Sequence, residues 1–169
     1  MQYYESLGLE PKLSIDTEDL KKRFYERSRQ LHPDRFSRAS ADEQQKALDM
    51  TALLNDAFRT LRDPVTRAQY FLRESGIELS KEAPPELLEE VFELNMALEE
   101  LRGGDDSVRP QLAEAQEKFL AMRREIDAEL GRLFDSQDLE AIRAALNRRR
   151  YVSNLIREVE KELNVHVSN

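Results

Sequence analysis

A chain of 169 residues with 36% charged side chains, only 5 glycines and no cysteine has room for one domain or two small ones, and its composition favours helix throughout. The missing cysteines exclude a disulfide framework, a thiolate nucleophile and a cysteine-held metal, and two histidines, His32 and His166, make no metal centre without several carboxylates, so no cofactor is expected. The formal net charge of -8 belongs to one half: residues 1 to 75 carry 13 Lys/Arg and 13 Asp/Glu, residues 76 to 169 carry 13 and 21, which makes nucleic acid a poor partner there.

No apolar run approaches the length of a membrane span, and the first residues enter a domain without a signal or transit pattern, so a soluble, cytoplasmic chain with no membrane partner is expected. Tyr3 to Leu9 reads as a short helix closed by Gly8, with Pro11 beyond it. Ser14 or Asp16 caps the next helix, and Asp16, Glu18 and Asp19 suit its positive end. That helix runs from about Thr17 to Leu31, with Leu20, Phe24, Ser28 and Leu31 on one face. Arg27 lies beside this stripe, where its stem can snorkel to the edge. The outer face bears Lys21, Lys22, Tyr25 and Arg29, and Arg35 and Arg38 extend the positive charge. Taken alone, that cluster is an ordinary solvated face.

Pro33 removes a backbone donor and pushes His32 toward extended geometry, so the helix stops at about Leu31. A second apolar face follows at Ala47, Met50 or Thr51, Leu54, Phe58 and Leu61, which predicts an antiparallel hairpin with His32 and Asp34 at its tip. Read singly, His32 is a loop histidine bonded to backbone and Asp34 is the cap of the following helix. An acid/base pair lacks a nucleophile, a metal or a pocket-forming glycine loop, so the chain is expected not to be an enzyme.

The order Tyr3-Tyr4-Glu5-Ser6-Leu7-Gly8-Leu9, then His32-Pro33-Asp34, then Ala57-Phe58-Arg59-Thr60-Leu61-Arg62-Asp63-Pro64 resembles the J domain of DnaJ-type co-chaperones over roughly residues 1 to 75. The resemblance implies that His32, Pro33 and Asp34, with Lys21, Lys22, Arg29 and Arg35, dock on a DnaK/HscA-type ATPase chaperone. Tyr25 and Glu26 depart from the paired basic residues of many J proteins, which is compatible with a dedicated chaperone partner. An ionised Asp on a stiff tip can accept a charge-assisted bond from an arginine on such a partner.

Asp63 and Pro64 start another helix that continues to about Glu74, and Gly76 ends it. Ile77 to Pro85 is the expected boundary. Beyond it, Leu87, Val91, Leu94, Leu98 and Leu101 form one stripe, Leu112, Ala115, Phe119, Met122, Ile126, Leu130 and Leu133 a second, and Ile142, Leu146, Val152, Leu155, Val159 and Leu163 a third. Gly103 to Ser107 and Phe134-Asp135-Ser136 read as the connections, and Asn147 to Arg150 as a polar interval. The fold class is therefore all-α: a helical hairpin with short flanking helices, residues 1–75, a short linker, 76–85, and an antiparallel three-helix bundle, 86–169. Leu88, Phe92 and Met96 make a further row, rotated about 100 degrees from the core stripe, bordered by Glu89, Glu93, Glu99 and Glu100. The row either widens the core or packs on the first domain, or it meets a basic, partly apolar partner.

A J domain followed by such a bundle, with the run Ala68-Gln69-Tyr70-Phe71-Leu72 near the end of the first and the stretch Leu88 to Leu101 in the second, resembles the HscB family of iron-sulfur cluster assembly co-chaperones. The resemblance implies an IscU-type scaffold protein as client, held by Leu88, Phe92, Glu93, Met96 and Glu100 and by Tyr151 on the last helix. Met96 stands where relatives carry an acidic residue. A J protein for another client and a helical assembly adaptor with an inert tip are the alternatives. An ATPase assay and a scaffold pull-down separate them.

Overall fold

The computed structural model describes residues 1–165, so His166 lies outside the described residues. Every regular element among them is helical, and the chain divides into two units, Met1–Glu78 and Leu79–Asn169.

In the first unit α1 (Gln2–Ser6), α2 (Thr17–Gln30), α3 (Ala41–Arg62) and α4 (Pro64–Glu74) bury Tyr4, Leu7, Leu20, Leu54, Ala57, Leu61 and Tyr70 as one core. The α1 helix is closed by a left-handed turn at Gly8, φ 66°. Arg23 donates from Nη1 to the Gly8 carbonyl at 2.8 Å, and Arg27 reaches the same turn, its Nη2 lying 2.6 Å from where a Cβ on Gly8 would stand. Snorkelling is thus the fate of Arg27: the stem follows the edge of the core and the charge sits at the turn. Asp16, rather than Ser14, caps α2, accepting from the amides of Glu18 and Asp19 at 3.0 and 3.2 Å.

The α2 and α3 helices are antiparallel. Phe24 stacks on Phe58 with centroids 4.2 Å apart, and Leu31 at the far end shares a groove with Ala47 and Thr51. Thr51 turns inward, whereas Met50 and Leu48 stay exposed. A capping box opens α3: the Ser40 hydroxyl accepts from the Glu43 amide at 3.2 Å, and the Ser40 amide donates to the Glu43 carboxylate at 3.2 Å. Asp34 therefore does not cap the following helix, because Ser40 stands immediately before it and takes that role. Ser40→Ala is expected to cost about 1 kcal/mol of stability, read as a lower urea midpoint with an unchanged slope. An unmoved midpoint would mean that the box adds nothing in solution.

Asp63 caps α4 through the amides of Val65 and Thr66, and Pro64 occupies its first turn. One turn on, Arg67 is buried and donates from Nη1 to the Leu61 carbonyl at 2.8 Å, satisfying one of the last acceptors of α3. Burial holds its guanidinium below the ordinary arginine value. Burial likewise pushes Tyr4 up to about 12, with the charge of Arg67 opposing, so its hydroxyl keeps its proton and donates to the Lys12 carbonyl at 2.7 Å.

The second unit contains α5 (Leu88–Arg102), α6 (Arg109–Ser136) and α7 (Leu139–Val165), running up, down and up. Cross-helix pairs mark the register: Glu90 with Lys118 at 3.7 Å, Glu129 with Arg148 at 2.8 Å, Asp127 with Arg149 at 2.5 Å and Arg102 with Glu162 at 2.8 Å. Leu94, Leu98 and Leu101 of α5, Leu112, Phe119, Ile126 and Leu130 of α6, and Ile142, Val152, Leu155 and Val159 of α7 fill the core. One expected connection is corrected: Phe134, Asp135 and Ser136 form the last turn of α6, not a loop. Phe134 follows Leu130 by four residues and continues its buried stripe, so the helix gains by going on. The break comes at Gln137, left-handed at φ 56°, and Asp138 accepts from the Ala141 amide at 3.1 Å to start α7.

Candidate functional site

His32 adopts φ -57° and ψ 136°, the extended geometry that a following proline favours. A single 3-10 turn, Pro33–Arg35, succeeds it, closed by the Arg35 amide donating to the His32 carbonyl at 2.9 Å and the Phe36 amide to the Pro33 carbonyl at 3.0 Å. The Asp34 amide donates to His32 Nδ1 at 3.3 Å, so the neutral ring carries its proton on Nε2. Behind the tip, Gln44 donates to the carbonyls of Phe36 and Ala39 and ties the segment to α3. The side chains of His32 and Asp34 are 60% and 91% exposed, and the carboxylate approaches Nδ1 at 3.5 Å. A rigid backbone thus presents a donor and an anion to solvent, with the anion given no task in the fold.

Lys21, Lys22, Arg29 and Arg35 are all exposed, and none has an ion-pair partner among the described residues. Tyr25, Ser28, Arg29 and His32 line one open groove, so the outer face of α2 runs on to the tip. Cations left without internal partners suit an acidic surface that is met from outside.

On the second unit, the row beside the core stripe lies on the surface: Leu88 is 57% exposed, Phe92 66% and Met96 49%. It does not widen the core of the bundle. Glu89, Glu93, Glu99 and Glu100 are exposed around it, whereas Glu90 turns to Lys118 on α6. Tyr151 is half-buried on α7; its hydroxyl donates to the Lys81 carbonyl at 3.1 Å, and the Arg150 guanidinium lies over its ring at 5.1 Å. Tyr151 is therefore tied to the segment that leads into α5.

Residues 2–70 match the DnaJ domain, and residues 83–160 match the HSCB C-terminal oligomerisation domain. A co-chaperone protein HscB homolog from Shewanella halifaxensis is 37% identical over 145 residues, which cover 83% of this chain and 82% of the relative. The chain belongs to the HscB family of co-chaperones. An HscB homolog from Neisseria meningitidis is 32% identical over 173 residues, covering 96% of this chain and 99% of its own. Among solved structures, chaperone HscB from Vibrio cholerae superposes with a TM-score of 0.71 at 30% identity, covering 97% of this chain and 98% of that one. Human co-chaperone HscB gives 0.73 at 27% identity, covering 95% and 81%. In this HscB-family chain, J-domain and bundle architectures are both present, and no described helix is long and apolar enough to cross a membrane.

Two sets of residues in this HscB fold escaped the reading of the sequence. Arg67 looks like any helix-surface arginine until Leu61 is placed beside it. Asn147 and Arg150 were visible only as a polar gap in the stripe of α7; the structure gives them backbone carbonyls to hold.

Proposed function

We propose that this chain binds an IscU-type iron-sulfur cluster scaffold protein on α5 and presents it to a DnaK/HscA-type ATPase chaperone, whose hydrolysis the His32-Pro33-Asp34 tip stimulates. The chain performs no chemistry of its own. Lys21, Lys22, Arg29 and Arg35 steer and orient the chaperone, and the exposed carboxylate of Asp34 accepts from a cation on it. Leu88, Phe92 and Met96 supply apolar area to the scaffold, and Glu93 and Glu100 meet basic groups at its rim. Tyr151 completes the scaffold face from α7. Holding both proteins raises the effective concentration of client beside chaperone and favours the chaperone state that closes on it, promoting cluster release.

The observation that carries this reading is the pairing of an exposed tip, whose carboxylate has no task in the fold, with an exposed apolar row bordered by glutamates in the other unit. Single-turnover ATP hydrolysis by the chaperone, measured with this chain alone, scaffold alone and both, tests it. Stimulation by both is expected to exceed the product of the separate effects by about tenfold, equivalent to about 1.4 kcal/mol of coupling. Stimulation by the tip without any added effect of scaffold would favour a different client; no stimulation at all would leave the chain as a helical adaptor.

A further inference from the structure

The α5 helix has Glu89 and Glu90 in its first turn but begins without a side-chain cap. Its N-cap is Leu87, and neither it nor Pro84, which precedes the 3-10 turn Pro85–Leu87, makes a side-chain cap bond. Leu88, the first residue of the exposed row, stands at this uncapped end. What secures the entry lies upstream. Arg150 donates from Nη2 to the Ser80 carbonyl at 3.0 Å, Tyr151 from its hydroxyl to Lys81 at 3.1 Å, and Asn147 from Nδ2 to Glu82 at 2.8 Å. Three side chains of α7 thus take three consecutive carbonyls. The clamp is internally braced, because Arg150 also donates to Asn147 Oδ1 at 3.1 Å. Pro84 and Leu87 are buried just beyond it, so the chain from Ser80 to Leu87 is fixed at both ends.

We infer that Asn147, Arg150 and Tyr151 are positioning residues for the scaffold-binding row: by clamping residues 80–82 they set the entry and hold the first turns of α5, and with them the directions of Leu88 and Phe92. This inference rests on the scaffold reading of that row. It also gives Tyr151 a second task, carried by its hydroxyl and separable from any contact made by its ring.

The test uses the full chain. Asn147→Asp keeps the shape and the acceptor for Arg150 but removes the donor to Glu82; Tyr151→Phe keeps the ring and removes the hydroxyl. Either variant is expected to speed tryptic cleavage after Lys81 and hydrogen exchange at the Phe92 and Glu93 amides by about fivefold, the factor for one lost hydrogen bond in local opening. Exchange at Leu98 to Leu101 stays unchanged, and scaffold affinity falls about threefold to fivefold. Asn147→Gln, which retains an amide donor, is expected to stay within about twofold of the parent in all three measurements. Unchanged cleavage and exchange in both variants would overturn the clamp. Faster exchange with undiminished scaffold affinity would overturn the positioning role, and Phe92→Ala run alongside shows whether the scaffold face itself is at fault, since that substitution leaves the clamp intact.

Discussion

Asp34→Asn is expected to return the chaperone's ATP hydrolysis to its basal rate, a loss of about tenfold to a hundredfold in stimulation, while the unfolding midpoint of this chain stays where it was. The size is the net worth of a hydrogen bond to a charged group, about 1.5–3 kcal/mol, lost with the carboxylate. The silence in stability follows from the geometry. The side chain is 91% exposed, Ser40 rather than Asp34 caps α3, and the amide of residue 34, which donates to His32, survives the substitution. His32→Gln is expected to lose stimulation as well, since it removes both the outward Nε2 donor and the Nδ1 acceptor that fixes the turn. Chaperone ATPase and circular dichroism on the same samples check both. Retained stimulation in Asp34→Asn would refute the assignment of the tip.

Leu88→Ala combined with Phe92→Ala is expected to weaken scaffold binding by about a hundredfold or more and to leave the bundle as stable as before. Exposed side chains that become buried on association and cluster at the centre of an interface cost about 2 kcal/mol or more each when truncated. Phe92 is the most exposed large apolar side chain of the described residues, and Leu88 lies one turn away on the same face. Because neither contributes to the core, a falling midpoint would show that the row is structural after all. Titration calorimetry with purified scaffold measures the effect, and an unchanged affinity would move the client surface elsewhere.

What could be read from the chain depended on whether a physical constraint left a mark on residue type. Pro33 leaves one, so the break and the outward tip are legible in the sequence. The spacing of Leu88, Phe92 and Met96 left another, although periodicity alone could not decide whether the row was core or surface. Met50 and Thr51 flank the same helical direction, and only packing against Leu31 selects threonine. Phe134-Asp135-Ser136 misled because Asp and Ser are turn formers, while the burial of Phe134 decided for helix. Side chains that bond to backbone carbonyls leave the weakest trace. A carbonyl is present at every residue, so nothing at Ser80, Lys81 or Glu82 advertises what Asn147, Arg150 and Tyr151 hold.

The two long helices of the first unit are each closed by their own residues. The Leu31 and His32 amides bond back into α2, and α3 opens on the Ser40 and Glu43 box. Of the residues between them, only Pro33 bears on a helix end, since it is the residue that stops α2. Residues 34 to 39 are accordingly open to exchange: new side chains there, with His32 and Pro33 kept, would alter what the tip presents and leave both helix ends in place.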